Sequence, residues 1–263
     1  MVAERFESAL WETTSLLLAA DGQAVLIDPG ISTDEVARLA ARAGALGAEV
    51  THVVATHADW DHVCGIAAFP GATATTSEGT AARIAARGPD ASVAERAAAR
   101  GIEIAGEPRV DRTFAPGSAL ALGPFLLETL SLPGHTPDGT GFRCRSVDLL
   151  AVGDHLSTIE FPFTTSTAAY RGTLAALIDL LRHDPPQRVI PGHGPELTAG
   201  EALAVAEADL AYLWELHEAV AGGATPDAAR TAGLAVPLPR PAADDLAEMH
   251  AHNVGVALAE RFG

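Results

Sequence analysis

The stretch His57-Ala58-Asp59-Trp60-Asp61-His62 decides how this sequence is interpreted. It places two histidines and two aspartates directly after an apolar, strand-like run at residues 50–55. Side chains alternate between the two sides of an extended chain, so residues 57, 59 and 61 share one side, and residue 62 joins them where the chain turns. Nitrogen and carboxylate donors that converge in this way suit one or two divalent transition metals. The stretch therefore predicts a metal centre at the end of a strand.

Three later motifs each place another potential ligand beside a glycine, and each follows an apolar run. They are Pro133-Gly134-His135-Thr136-Pro137, Val152-Gly153-Asp154-His155 and Pro191-Gly192-His193-Gly194. Glycine has no side chain, so the backbone can crowd close to a metal at these points. A single histidine after Pro-Gly is more often a turn residue than a ligand, so the prediction depends on all the motifs together.

The order of these motifs resembles the metallo-β-lactamase superfamily, in which a histidine-rich H-x-H-x-D-H loop precedes a lone histidine, a lone aspartate and a last histidine. The resemblance covers roughly residues 14–198. It implies a first metal bound by His57, residue 59 and His135, and a second bound by Asp61, His62 and His193, with Asp154 bridging the two. Asp28, after the apolar run 25–27, is implied to hold the histidine loop from behind.

Asp59 departs from the family pattern, which has a histidine at this position. The shorter aspartate can ligate directly, ligate through a water, or leave the first site weakened. If Asp59 ligates, the negative charges of three aspartates and a hydroxide balance the positive charges of two divalent metals, and the centre is neutral. A neutral histidine in its place would leave the centre with one positive charge. A neutral centre favours iron or manganese over zinc, and the flavodiiron branch of this fold carries a glutamate here and uses iron. We nevertheless interpret Asp59 as a ligand exchange in a zinc enzyme.

Composition limits the classes of function. The chain has 263 residues, is 48% hydrophobic, and carries 17 basic against 34 acidic residues, for a net charge of −17. Phosphate backbones are bound by clustered Lys and Arg, so nucleic acid is not expected as a partner. Two cysteines, Cys64 and Cys144, make no disulfide framework. Without a signal core or a membrane span, we expect a cytoplasmic protein with a small-molecule substrate, and we leave a homodimer open.

The hydrophobic pattern predicts an α/β protein. Helices are expected at 32–46, at 167–182, as two short segments within 77–100 that break at Gly88-Pro89, and from residue 201 onward, the last at 242–262. Strands are expected at 14–20, 23–28, 49–55, 125–132, 139–145, 148–152 and 187–190. Together with the resemblance, this predicts a four-layer αββα metallo-β-lactamase-like domain at 1–198 and a helical C-terminal extension at 199–263 packed on it.

The predicted function is hydrolysis of a small ester, thioester or lactone by a metal-bound hydroxide. Asp154 is expected to bridge two divalent metals, with zinc preferred, and Asp61 to protonate the leaving group. A non-haem iron oxidoreductase and a phosphodiesterase remain as alternatives. A binding protein that has lost the chemistry is disfavoured because the other ligands are present. Cys64, just past the motif, is interpreted as a buried structural thiol rather than a metal contact.

Aromatic residues near the motifs are candidates for a substrate pocket. These are Trp60, Phe161 and Phe163, although core packing is the usual role of such side chains. His155 follows the predicted bridging aspartate and is expected either to face substrate or to be buried and hydrogen-bonded. The segment His250–Asn253 is considered as one that could fold back over the site.

Overall fold

The protein is described here from a computed structural model that covers residues 1–87, 92–240 and 246–263. Within these ranges, eleven strands form two sheets. The first sheet has the order β1 to β6, and the second has the order β11-β10-β9-β8-β7. The strands are β1 (Val2–Glu7), β2 (Thr14–Ala20), β3 (Gln23–Ile27), β4 (Glu49–Val54), β5 (Thr73–Ser77), β6 (Arg112–Phe114), β7 (Ala119–Leu122), β8 (Phe125–Ser131), β9 (Thr140–Cys144), β10 (Leu149–Ala151) and β11 (Arg188–Ile190).

Helices cover the outer face of each sheet. The described helices are α1 (Thr33–Ala45), α2 (Trp60–Val63), α3 (Glu78–Ala86), α4 (Val93–Ala98), α5 (Thr167–His183), α6 (Ala199–Gly222), α7 (Pro226–Leu234) and α8 (Leu246–Phe262). Side chains of α1, α2 and α4 share a core with the first sheet, and side chains of α5 to α8 share a core with β10 and β11. None of the described helices is long and apolar enough to cross a membrane.

Residue alternation along the central strands produces the layered packing. In β2, Leu17 faces the core shared with the helices, whereas Leu16 and Leu18 face the core between the two sheets. Phe125 and Phe142 of the second sheet fill that inter-sheet core from the other side. Both faces of the strand are buried, which explains its continuous apolar sequence. The result is the predicted α/β sandwich of two sheets between helices.

Most predicted elements are present, with shifts at their ends. Helix α1 has the predicted capping box, in which the Ser32 side chain accepts from the backbone of Glu35 and the Glu35 side chain accepts from the backbone of Ser32. Helix α6 begins at Ala199 rather than 201, because Thr198 and Glu201 form a second capping box. The predicted break at Gly88-Pro89 and the predicted helix start at residue 242 lie outside the described residues.

Four strands are not indicated by the hydrophobic pattern: β1, β5, β6 and β7. Strand β1 mixes apolar and charged residues without strict alternation and is partly exposed, while β5 consists largely of threonine. Strand β6 is only three residues long. Neighbouring strands, rather than local apolar runs, stabilise these segments, so their own sequence carries little signal.

The helical segment from residue 199 is packed on the rest of the chain. Helix α6 lies along α5, and Leu213 and Leu216 of α6 share one buried core with Leu174 of α5 and Val152 beyond β10. The division of the chain at residue 198 stays a prediction, and this shared core is the feature that bears on it.

Candidate metal centre

The loop after β4 carries the histidine motif and is held from behind by Asp28. The Asp28 carboxylate accepts hydrogen bonds from the backbone nitrogen and the hydroxyl of Thr56, both at 2.8 Å. Its Oδ2 also lies 2.9 Å from Nδ1 of His62. Asp28 thereby fixes the start of the loop and leaves Nε2 of His62 facing the site, the position in which the family resemblance implies a supporting carboxylate.

The structure brings all seven predicted ligands together. Ligand atoms lie within 4.8 Å of one another in three groups: His57, Asp59 and His135; Asp61, His62 and His193; and His57, His62 and Asp154. The first two groups correspond to the two ligand sets implied by the sequence. Each set combines nitrogen and carboxylate donors, as a divalent transition metal prefers.

Asp154 lies between the two groups. Its Oδ2 is 3.1 Å from Nε2 of His135, 3.3 Å from Nε2 of His193 and 3.5 Å from Nε2 of His57. Its Oδ1 is 3.1 Å from Nε2 of His62. One carboxylate is thus close to all four histidines, which is the placement expected of a bridging ligand.

Gly192 makes room for the Asp154 carboxylate. A Cβ atom built at position 192 would lie 2.2 Å from Oδ1 of Asp154, far closer than any real contact. The glycine before His193 is therefore required by the backbone's approach to the site, as the sequence motif suggested.

The remote nitrogen of each histidine ring has its own partner. Nδ1 of His135 donates to the carbonyl of Phe163 at 2.8 Å, and Nδ1 of His193 donates to the carbonyl of Trp11 at 2.9 Å. Nδ1 of His57 lies 3.0 Å from the Thr56 hydroxyl. A ring that donates through Nδ1 presents the lone pair of Nε2, so these contacts prepare the rings as metal ligands.

A short segment before β2 supports the second ligand group. Trp11 and Glu12 have positive φ angles of 55° and 51°, a backbone conformation that is uncommon for residues other than glycine. The Thr13 hydroxyl donates to Oδ2 of Asp61 at 3.2 Å, and residue 13 forms an isolated bridge with His193. Backbone strain of this kind persists where the surrounding structure holds it, commonly at functional sites.

The unpaired atoms of the site fit a metal. Nε2 of His57, Nε2 of His62 and Oδ1 of Asp154 are buried and have no hydrogen-bond partner among the described residues. Buried polar atoms are seldom left without a partner, because each costs about 1–3 kcal/mol. Three such atoms facing one another are satisfied together by bound cations, so the residues present fit the metal centre that the sequence predicts.

Carboxylates dominate the electrostatics of the site. Burial alone would lower the pKa of His135, but Asp154 and Asp59 outweigh it and raise that pKa to about 10. The pKa of His193 is raised to about 9 against the same burial effect, chiefly by Asp154. The site therefore attracts positive charge, as a metal centre must.

Asp59 has a second partner that the sequence analysis missed. Its Oδ2 lies 3.3 Å from Nε2 of His135 and 3.6 Å from Nε2 of His57, while its Oδ1 accepts from Nη2 of Arg83 at 2.8 Å. Arg83 also donates through Nη1 to Asp138 at 2.5 Å. Asp138 directly follows the His135 motif and could have been noticed there, whereas Arg83 lies within α3, where sequence gives it no distinguishing signal.

A small cavity of about 10 Å³ lies beside His135 and Asp154. Its apolar walls are formed by Leu156, Phe161, Phe163 and Tyr170, and its other polar lining residues include the acidic Glu160 and Asp209. Burial raises the pKa of Glu160. Phe161 and Phe163, two of the candidate pocket residues, thus line the space beside His135 and Asp154.

Trp60 and His155 are placed differently from the pocket role considered for them. Trp60 is buried in the core under the first sheet and packs edge-on against Trp11, because the helical turn α2 directs its side chain away from the cavity. His155 is buried, lies against the Tyr170 ring at 4.6 Å between centroids, and has a pKa lowered to about 3 by burial. Neither residue lines the cavity, so the pocket role considered for Trp60 is corrected, and His155 takes the buried, hydrogen-bonded alternative, with its Nδ1 3.2 Å from the Val152 carbonyl.

The C-terminal helix reaches the loop that supports His135. The Asn253 side chain accepts from the backbone nitrogen of Thr164 at 3.1 Å and donates to the carbonyl of Pro162 at 2.5 Å. The His252 ring stacks on Phe163 with centroids 4.3 Å apart. His250 instead bonds to Tyr212 within the helical layer. The segment considered for folding back therefore contacts the site's supporting loop rather than the ligands.

Cys64 takes no part in the site. Its thiol donates to the carbonyl of Trp60 at 2.9 Å, and burial raises its pKa well above the usual value. A thiol held in this way is a structural residue, as the sequence analysis preferred.

Fold and site together agree with one family. Residues 10–193 match the metallo-beta-lactamase superfamily, which is well over half of the chain. The protein therefore belongs to the metallo-beta-lactamase superfamily, a class defined by this sandwich and by histidine and aspartate ligands at its edge.

Individual relatives refine this assignment. The protein named "Probable metallo-hydrolase YqgX" from Bacillus subtilis (strain 168) is 35% identical over 109 residues, which are 41% of this chain and 51% of that protein. The chain thus spans about half the length of this curated relative.

Solved structures share the fold. The family protein TTHA1429 from Thermus thermophilus has 18% identity and a TM-score of 0.69, and the match covers 97% of this chain and 91% of that one. ETHE1 from Myxococcus xanthus has 20% identity and a TM-score of 0.61, covering 82% and 91%. TTHA1623, solved in a di-iron-bound form, has 25% identity and a TM-score of 0.57, covering 75% and 96%.

Proposed function

We propose that the protein is a metal-dependent hydrolase of a small, uncharged or weakly charged ester, thioester or lactone. The observation that carries this proposal is the convergence of two ligand groups around Asp154, directly beside a cavity with apolar walls. When bound, divalent metals there supply a nucleophile from water near neutral pH and a Lewis acid for the substrate oxygen.

The protein's own residues orient the metal ligands and line the space beside them. Asp154 and the four histidines hold the ligand geometry, and their outer contacts keep each ring in place. Phe161 and Phe163 line the cavity beside the ligands, and in this proposal they contact the apolar part of the substrate. Asp61, held by the Thr13 hydroxyl, takes up a proton released at the site and passes it to the leaving group.

Charge supports an uncharged substrate over a phosphodiester. The cavity beside the ligands is lined by the carboxyl groups of Glu160 and Asp209, and the whole chain carries a net charge of −17. Asp209 is paired with Arg240 at 2.7 Å, whereas Glu160 has no ion pair among the described residues, so the Glu160 carboxyl group disfavours an anion beside the ligands. A cytoplasmic small molecule without phosphate is the substrate class that fits these walls.

The second candidate is a non-haem iron oxidoreductase on the same fold. One observation favours it, namely that a carboxylate, Asp59, faces His57 and His135 in the first ligand group. Harder, more anionic sites favour iron or manganese over zinc. The related structure TTHA1623 in its di-iron-bound form shows that the fold accommodates iron in that protein.

Asp154→Ala tests the proposal. We expect loss of hydrolysis by at least about 100-fold together with reduced metal content, because one carboxylate serves both ligand groups. The measurements are elemental analysis and a screen of lactones, thioesters, aryl esters and phosphodiesters with zinc-, manganese- and iron-loaded protein. The matched control is Asp179→Ala on the exposed face of α5, which should keep parental values.

Different outcomes of this screen separate the candidates. Hydrolysis of phosphodiesters alone would overturn the substrate class. Iron in the purified protein, with oxygen consumption and no hydrolysis of any tested substrate, would favour the oxidoreductase. A metal-free protein whose melting temperature does not rise with Zn²⁺, Mn²⁺ or Fe²⁺ would contradict the metal centre, because a ligand of the folded state must stabilise it.

A further inference from the structure

The first ligand group contains an aspartate whose geometry is unusual for its position in the chain. Asp59 is the N-cap residue of α2, yet its side chain makes no capping hydrogen bond. Aspartate at an N-cap normally accepts from a backbone nitrogen one turn later. Here the side chain turns instead toward His57 and His135 on one side and toward Arg83 on the other.

The two oxygens of Asp59 have different partners. Oδ2 points at the two histidines of the first group, and Oδ1 accepts from Nη2 of Arg83 at 2.8 Å. The Asp59 side chain is one-third exposed, so without a partner it is free to rotate toward solvent. Arg83 therefore leaves a single oxygen for a metal and fixes where that oxygen lies.

Arg83 is itself anchored by a buried carboxylate. Asp138 is 1% exposed at its side chain and accepts from Nη1 of Arg83 at 2.5 Å. Its other oxygen accepts from the backbone nitrogen of Ala58 at 2.8 Å and from the Thr80 hydroxyl at 3.0 Å. Asp138 thus ties the histidine loop, α3 and the guanidinium into one unit.

Only a planar, two-pronged donor satisfies both carboxylates at once. The guanidinium offers donors in a fixed fork, so its Nη1 and Nη2 reach Asp138 and Asp59 separately. Its positive charge also offsets part of the negative charge that an aspartate brings in place of a neutral histidine. Asp59, Arg83 and Asp138 form a chain from the metal-facing oxygen to the protein interior, which we call the Asp59–Arg83–Asp138 chain.

We propose that Arg83 is the positioning residue that makes Asp59 a ligand of the first metal site. The inference rests on the metal centre of the proposed function, but not on its substrate or its reaction. In this protein, the ligand at position 59 and the arginine at position 83 act as a pair. A histidine at position 59 would not require the arginine to hold it in place.

Metal titration of Arg83→Gln tests this pairing. We expect affinity at the first site to fall by roughly 10- to 100-fold, the usual effect of removing an outer hydrogen-bond partner of a ligand. Affinity at the second site, formed by Asp61, His62 and His193, should stay within about twofold because Arg83 does not contact it. The readouts are calorimetric titration of the apoprotein with Zn²⁺ and the absorption spectrum of Co²⁺-loaded protein.

The decisive comparison is a double-mutant cycle with Asp59→His. In the Asp59→His background, adding Arg83→Gln should change first-site affinity by less than about twofold, because no carboxylate remains at position 59 for Arg83 to hold. Arg230→Gln, on the exposed surface of α7, is the matched control and should behave as the parent.

The inference would be overturned by parental first-site affinity in Arg83→Gln, by equal loss at both sites, or by the same loss in the Asp59→His background. If Arg83→Gln does not fold, Arg83→Lys keeps the charge without the fork. It should lose at least about threefold in first-site affinity, and no loss would equally overturn the inference. These binding readouts do not depend on hydrolysis, so a protein that hydrolyses nothing in the substrate screen can still support or contradict the pairing.

Discussion

At the scale of single residues, the site depends on two small features of the backbone and one distant side chain. Gly192 lets the chain pass beside Asp154, and the strained segment at Trp11 supplies a carbonyl to His193. The predicted ligands follow strands in recognisable motifs, so the sequence alone points to them. The arginine that holds Asp59 lies 24 residues away along the chain, and only the packing of α3 brings it there.

Gly192→Ala should damage the metal centre. The added methyl would overlap Oδ1 of Asp154, which lies 2.2 Å from the ideal Cβ position, so the carboxylate or the backbone must move. We expect the metal content per chain to fall, with a loss of stability of about 1–3 kcal/mol from overpacking. Elemental analysis and thermal unfolding measure both effects.

The matched control for this substitution is Gly172→Ala, in α5, where a Cβ would meet nothing within 4 Å. Alanine is the better helix former, so stability should rise by about 0.5–1 kcal/mol with no change in metal content. Parental metal content in Gly192→Ala would show that the backbone can shift away from Asp154 at no cost to the ligand.

At the scale of elements, the C-terminal helix is part of the support of the metal centre. Asn253 of α8 bonds to Thr164 and Pro162, and the neighbouring Phe163 accepts from His135. Sequence periodicity predicted helices in this region, but periodicity does not say which element a helix will contact. The helices of this region were therefore predictable, and the link from α8 to His135 was not.

Asn253→Ala should weaken both the fold and the site. It leaves the Thr164 nitrogen and the Pro162 carbonyl without their partner, and unsatisfied buried groups cost about 1–3 kcal/mol. We expect a lower melting temperature in the apoprotein and weaker metal binding at the His135 site, measured by calorimetry and metal titration. Glu248→Ala, on the exposed side of α8, should leave both unchanged. A lower melting temperature with parental metal affinity would contradict the link between helix and ligand.

At the scale of the whole molecule, one question is whether the predicted segments 1–198 and 199–263 unfold together. Helices α6 to α8 share a buried core with α5 and the second sheet. A separate core lies between the two sheets, and both sheets contribute side chains to it. Layer order was predictable from the resemblance and the alternation of strands and helices. The extent of the shared core was not, because burial depends on tertiary contacts between distant segments.

Tryptophan fluorescence tests whether the segments unfold as one unit. Trp214 lies in α6, whereas Trp11 and Trp60 lie in the first half of the chain. A Trp11→Phe/Trp60→Phe variant reports on α6 alone, and its fluorescence transition should coincide with its own far-ultraviolet circular dichroism transition. The Trp214→Phe variant is the reciprocal control. Separate transitions in either variant would support two independently folding units.

The contact between Asn253 and the loop at Thr164 also sets the order of events during protein synthesis. Asn253 follows Thr164 by 89 residues, so the ribosome has released the loop and its histidine well before the helix that fixes them exists. A nascent chain can form the strands and present the ligands while the support of His135 is still missing. We therefore expect stable capture of an ion at that position only after helix α8 has been synthesised.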